Sequence, residues 1–127
     1  MSTAFNRKRG LIVLACEVWG PGGSAVLRLG LDTGATTTTI NTAPVVALGY
    51  DPELSAKRVE LTTGSGIEYA PRIELHQIQA LGIIEKRFPV LCHTLPPSTG
   101  VDGVLGLDFL RERELIVNFR TGLIALR

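Results

Sequence analysis

Two apolar runs broken by a Gly-Pro-Gly-Gly cluster constrain the fold of this 127-residue chain more than any other feature. Residues 11–20 read LIVLACEVWG, residues 20–23 read GPGG and residues 24–32 read SAVLRLGLD. Each run is predominantly apolar, and a glycine–proline cluster between two such runs marks a β-hairpin. The pattern recurs. RVELTTGSGIEYAPRIEL (58–75) predicts a second, longer hairpin about Gly64–Gly66, because glycine takes positive φ without a steric penalty. IQALGIIEKRFPVLCH (78–93) predicts two more strands with a turn near Gly82 or Lys86, and LIVNFRTGLIALR (115–127) a closing hairpin that turns at Arg120, Thr121 and Gly122. Helical signals are short. Asn41 or Thr42 can cap a turn that tolerates Pro44 and ends at Gly49, while Leu107, Leu110 and Arg111 fall at helical spacing. TLPPSTGVDG (94–103) is loop. The expected fold is all-β, a small closed barrel with one long protruding hairpin and one or two short helices.

The length suits a single domain over residues 1–127. A hydrophobic fraction of 45% with 20% charged residues fits a globular chain. The net charge of +1 gives no electrostatic footprint for nucleic acid or for an anionic membrane. Arg7, Lys8 and Arg9 form the single basic run, which reads as a solvated, flexible arm over residues 1–9. Basic residues followed by GLIVLAC imitate a secretion signal, and VLAC a lipoprotein cleavage site. The apolar core from Leu11 to Ala15 is nevertheless shorter than the roughly 7 to 15 residues a signal needs, and it reads as a strand. No stretch approaches the roughly 20 apolar residues of a membrane helix, so a cytoplasmic location is expected. Cys16 and Cys92 read as small buried hydrophobes. With His76 and His93 they offer no metal-ligand spacing, and no metal or cofactor is expected. The histidines, Trp19 and the threonines from Thr36 to Thr39 read as packing, surface or strand residues.

One residue does not belong to this bland picture. LDTGATTTTI (31–40) delivers Asp32 at the end of an apolar strand, where stripping a carboxylate of water costs several kcal/mol unless it is paired. An Asp-Thr-Gly turn alone is a weak signal, because aspartate and glycine favour turns for local reasons. A second feature agrees with it: VDGVLGLDFL (101–110), in which Val104, Leu105 and Gly106 run into a short helix. The Gly64–Gly66 hairpin lies between the two. In order and spacing these three features resemble a retropepsin-like aspartic peptidase, a member of the acid-protease clan. The pattern is similar to that of the small bacterial aspartyl proteases and of the retroviral-type domain of DNA-damage-inducible proteins.

The resemblance implies a retropepsin-like barrel with Asp32 as the catalytic residue, Thr33, Gly34 and Ala35 as its active-site loop, and Val104, Leu105 and Gly106 packed beside that loop. The hairpin becomes a flap, Thr63, Gly64, Ser65, Gly66 and Ile67, that closes over a peptide or protein substrate in extended conformation. Family catalysis uses two facing aspartates. Asp51, Asp102 and Asp108 lack the Asp-Thr-Gly context, so the resemblance implies a two-fold homodimer. In the family the threonine hydroxyl bonds across the two-fold axis, and the glycine lets its N–H reach the carboxylate. Viral members commonly carry acidic residues after Asp-Thr-Gly-Ala, where this chain has Thr36 and Thr37. Asp108 is expected to cap or orient its helix. The reading is therefore an aspartic endopeptidase. The alternative is a catalytically inactive dimeric module of the same fold that binds peptides or proteins, since a fold does not by itself establish an activity.

Overall fold

The computed structural model describes residues 1–55 and 57–127, and of Thr63 the backbone alone. Ten strands and two helices follow in order: β1 (Thr3–Ala4), β2 (Val13–Gly20), β3 (Gly23–Leu31), β4 (Thr39–Ile40), α1 (Thr42–Ala47), β5 (Arg58–Thr63), β6 (Gly66–Ala80), β7 (Ile83–Cys92), β8 (Gly103–Leu105), α2 (Leu107–Leu110), β9 (Leu115–Asn118) and β10 (Leu123–Leu126). Short 3-10 turns occupy Pro52–Leu54 and Pro97–Thr99.

The first hairpin forms as its sequence dictates. Leu14, Cys16 and Val18 alternate inward along β2, Leu27 and Leu29 along β3, and Gly20 pairs with Gly23 around a two-residue Pro21-Gly22 turn. Gly23 has φ 129°, a conformation that favours glycine. The pair belongs to a sheet in the order β2-β3-β8-β4-β7-β6, and β6 returns to pair with β2, closing a barrel. Its interior is filled by Leu29, Ile40, Leu75, Ile78, Leu105 and Phe109, all at most 1% exposed. Each such side chain contributes roughly 1.5–3 kcal/mol by leaving water. Phe88 meets Phe109 edge to face, ring centres 5.7 Å apart.

Three local expectations need correction. β6 is one continuous strand of 15 residues. Its first part pairs with β5 in the long hairpin and its last part with β2 in the barrel, with a turn at Leu81 and Gly82 (φ 52° and 79°) before β7. Sequence patterning splits this strand because the inward residues, Ile73 and Leu75 and then Ile78 and Ala80, change phase midway. The threonine run is loop up to Thr38, and only Thr39 enters a strand. The N-terminal arm is not free either: Thr3 and Ala4 pair with β10, and Phe5 is buried with its ring edge-on to Phe119. A basic run suggests a solvated tail, but the apolar residue just before it is enough to anchor the segment.

Asn41 precedes helix α1 at the N-cap position, but its side chain makes no cap bond. Its amide instead donates to the Val101 carbonyl at 3.2 Å and accepts from the Leu95 N–H at 3.0 Å, pinning the 94–101 loop. Cys16 and Cys92 are buried free thiols, and burial pushes Cys16 up to about 12. Among the described residues no helix is long and apolar enough to cross a membrane.

β8 threads between β3 and β4, and the space there is set by backbone alone. A Cβ on Gly103 would lie 2.2 Å from the Thr39 carbonyl oxygen. Gly103→Ala is expected to destabilise the protein by about 3 kcal/mol or more, measured by urea denaturation, whereas Gly10→Ala, with nothing within 4 Å of its added carbon, should leave the midpoint nearly unchanged.

Candidate active site

Strand β3 delivers Asp32. β8 runs parallel to β3 with Gly30 opposite Val104 and Leu31 opposite Leu105, and the Asp32 N–H extends the ladder by donating to the Leu105 carbonyl at 3.0 Å. The chain then turns, with the Ala35 N–H donating to the Asp32 carbonyl at 3.1 Å. Within that turn the Gly34 N–H reaches back to Asp32 Oδ1 at 2.9 Å. A Cβ on Gly34 would sit 3.2 Å from that same oxygen, so a side chain there would crowd the carboxylate. Asp32 is half-buried, and Thr33 and Gly34 are exposed. The carboxylate is thus presented at the surface on the loop between β3 and β4, oriented by backbone N–H donation.

The structure brings both sequence signatures together. Val104, Leu105 and Gly106 form the end of β8 and its exit beside the Asp32 loop, and the Leu107 and Asp108 N–H groups donate to the Ala35 and Thr36 carbonyls at 2.8 and 3.2 Å. Gly106 tolerates this closeness because it has no Cβ; one would meet the Ala35 carbonyl oxygen at 2.7 Å. The predicted flap is the tip of the β5–β6 hairpin. Thr63 pairs with Gly66 around Gly64-Ser65, and Gly66 has φ 127°. A Cβ at Gly64 or Gly66 would meet nothing within 4 Å beyond its chain neighbours, and Ile67 is 61% exposed.

Two further residues complete the loop, and the sequence reading gave them no such part. Thr38 is fully buried. Its N–H donates to Asp108 Oδ2 at 2.9 Å, its hydroxyl donates to Asp108 Oδ1 at 2.7 Å, and the same hydroxyl accepts from the Gly106 N–H at 3.0 Å. Asp108 Oδ1 also accepts from the Phe109 N–H, so this carboxylate does orient its helix, but it does so while clasping the Asp32 loop. A run of four threonines carries no signal of which one turns inward. The remaining aspartates serve elsewhere: Asp102 accepts the Arg28 N–H at 2.8 Å, and Asp51 accepts the Glu53 N–H at 3.1 Å.

Thr38→Val keeps the shape and removes both hydroxyl bonds, leaving the Gly106 N–H without its acceptor and Asp108 Oδ1 with the Phe109 N–H alone. The expected cost is about 2 kcal/mol by urea denaturation, with Thr38→Ser recovering most of it.

Comparison with known proteins agrees with this geometry. Residues 23–112 match the family model described as "gag-polyprotein putative aspartyl protease". The fold is similar to that of a retropepsin-like aspartic protease from Rickettsia conorii, with a TM-score of 0.73 and 19% identity over 99% of this chain and 88% of that one. It is also similar to EIAV protease complexed with the inhibitor HBY-793, with a TM-score of 0.55 and 20% identity over 82% of this chain and 86% of that one. No curated protein matches the chain in sequence. With the family model spanning both the Asp-Thr-Gly loop and the glycine signature that clasps it, the chain belongs to the retropepsin-like aspartic peptidases.

Proposed function

We propose that the protein is an aspartic endopeptidase that acts as a homodimer, hydrolysing peptide bonds with a water activated between two Asp32 carboxylates, one from each copy. The observation that carries this reading is Asp32 itself. It is a surface carboxylate held by Gly34 on a rigid loop, in a chain whose other three aspartates are bonded to structural partners. Half of an acid–base pair is present, and a two-fold axis beside the exposed Thr33-Gly34 turn supplies the other half.

The chemistry follows from the closeness of the carboxylates. Two of them about 3 Å apart cannot both ionise, so the pair shares one proton and titrates with split apparent pKa values. The charged member takes a proton from the bound water, and the protonated member hydrogen-bonds the scissile carbonyl. No acyl-enzyme forms. In this reading Thr33 bonds across the axis and Gly34 orients each carboxylate. The hairpin tip from Thr63 to Ile67 folds over an extended substrate, pairs with its backbone and excludes water. A surface for the second copy is also at hand. The terminal sheet runs β1-β10-β9, leaving β9 as an open edge, and its outer side exposes Ile116, Phe119 and Leu123 (41%, 63% and 41%). Burial of such apolar side chains drives association.

Cleavage of a peptide library, scanned from about pH 4 to 8, tests the proposal directly. The expected profile is bell-shaped, bounded by the two apparent pKa values of the pair. Asp32→Asn should remain folded and lose activity by on the order of 10³-fold or more. A statine-type transition-state mimic should bind about 10²-fold or more tighter than a peptide of matching sequence. A folded dimer with no cleavage at any pH and no preference for the mimic would transfer the reading to a peptide-binding module.

The dimer makes its own prediction. Leu123→Lys places a charge on the outer side of the terminal sheet. It should move the protein from dimer to monomer in analytical ultracentrifugation and lower activity in proportion, with little change in the thermal midpoint of the monomer.

A further inference from the structure

Away from the Asp32 loop, the outward side of the β2–β3 hairpin forms the floor of a trough that the proposed peptidase chemistry does not use. The floor consists of Val13, Ala15 and Val26, side chains that point away from the barrel because Leu14, Cys16 and Leu27 fill its interior. Val26 is 65% exposed although it sits mid-strand. One wall is the N-terminal segment at Thr3 and Ala4. Among the described residues β1 is the end strand of its sheet, paired with β10 on one side and open on the other. The main cavity here is about 560 Å³. It continues into a second of about 300 Å³ that shares Thr3, Ala15 and Val26 and runs on to Met1 and Gly82.

Charge gives the trough a polarity. Arg9 and Arg28 are the charged residues lining the larger cavity, and the ion pairs formed among the described residues involve neither of them. The Arg9 guanidinium donates to the Gly100 carbonyl at 3.4 Å, which holds it at the mouth. Asp102, the nearest carboxylate in the hydrogen-bond network, accepts from the Arg28 backbone N–H. Arg7 and Lys8 adjoin in sequence. The other end of the trough carries Glu17, which accepts from the Ser24 hydroxyl, so cation stands at one end and anion at the other.

We propose that this trough is a docking site for an extended, acidic segment of a partner polypeptide. The segment adds as a strand along the open edge of β1, lays small apolar side chains over Val13, Ala15 and Val26, and places an Asp or Glu between Arg9 and Arg28. A free strand edge supplies backbone pairing, the apolar floor supplies burial, and the unpaired arginines fix direction and favour acidic sequences. An inorganic anion would leave the apolar floor unused. This inference stands whether or not the chain cleaves peptides.

The test uses the full chain carrying Asp32→Asn, so that no probe is consumed, and two fluorescein-labelled hexapeptides read by anisotropy. One has four alternating valines and alanines followed by Asp-Glu, and the other ends instead in Asn-Gln with an amidated terminus. The acidic peptide should bind about tenfold more tightly than its amide counterpart and weaken as salt rises. Arg28→Gln should erase the difference, and Val26→Lys should weaken both peptides. Both substitutions lie on exposed strand positions and preserve the fold, which circular dichroism verifies. Equal affinity for the two peptides, or a preference unchanged by Arg28→Gln, overturns the proposal. So does a Val26→Lys protein whose self-association changes while neither peptide binds, because the trough would then be filled by a second copy.

Discussion

The loop that presents Asp32 is anchored by one contact, the clasp of the buried Thr38 by the half-buried Asp108. The loop that carries Asp32 has little regular structure of its own between β3 and β4. It holds its shape because the Thr38 hydroxyl and N–H close on one carboxylate, while the same hydroxyl takes the Gly106 N–H. The half-buried carboxylate accepts from the Thr38 N–H and hydroxyl and from the Phe109 N–H, and satisfied polar networks inside a protein specify one geometry rather than many. Gly103 and Gly106 are the steric counterpart of that network. They bring β8 so near to Thr39, Ala35 and Thr37 that no side chain fits.

The rest of the site is built outward from this anchor. β3 and β8 run side by side to the turn, and backbone donors fix the aspartate without calling on a second charged side chain. The arrangement leaves the carboxylate at the surface, where the proposed second copy would bring its own. The long β6 joins the barrel to the protruding hairpin in one strand. In the proposed mechanism this continuity ties the hairpin tip directly to the barrel strand.

The N-terminal segment shows how composition can mislead. Arg7, Lys8 and Arg9 suggest a solvated tail, yet Phe5 is buried and Thr3 and Ala4 complete a sheet. That docking creates the trough over Val13, Ala15 and Val26 and turns Arg9 toward its mouth. A feature invisible in the charge pattern thus becomes a surface with direction, apolar at its floor and cationic at one end.

The sequence by itself determined most of the strands, the two-residue turns, the helix at Thr42–Ala47 and the Asp-Thr-Gly turn, because each follows from local periodicity and from residues that favour particular φ values. It also made the family legible through Asp32, Val104, Leu105 and Gly106. Only the tertiary structure decided which threonine of four turns inward, that Asp108 holds the Asp32 loop as well as its helix, that β6 runs unbroken from hairpin to barrel, and that the N-terminus docks. These depend on partners far apart along the chain, as Thr38 and Asp108 are at 70 residues' separation. No local pattern records such a pairing, because its stability comes from burial and hydrogen bonding that exist only once the barrel has closed.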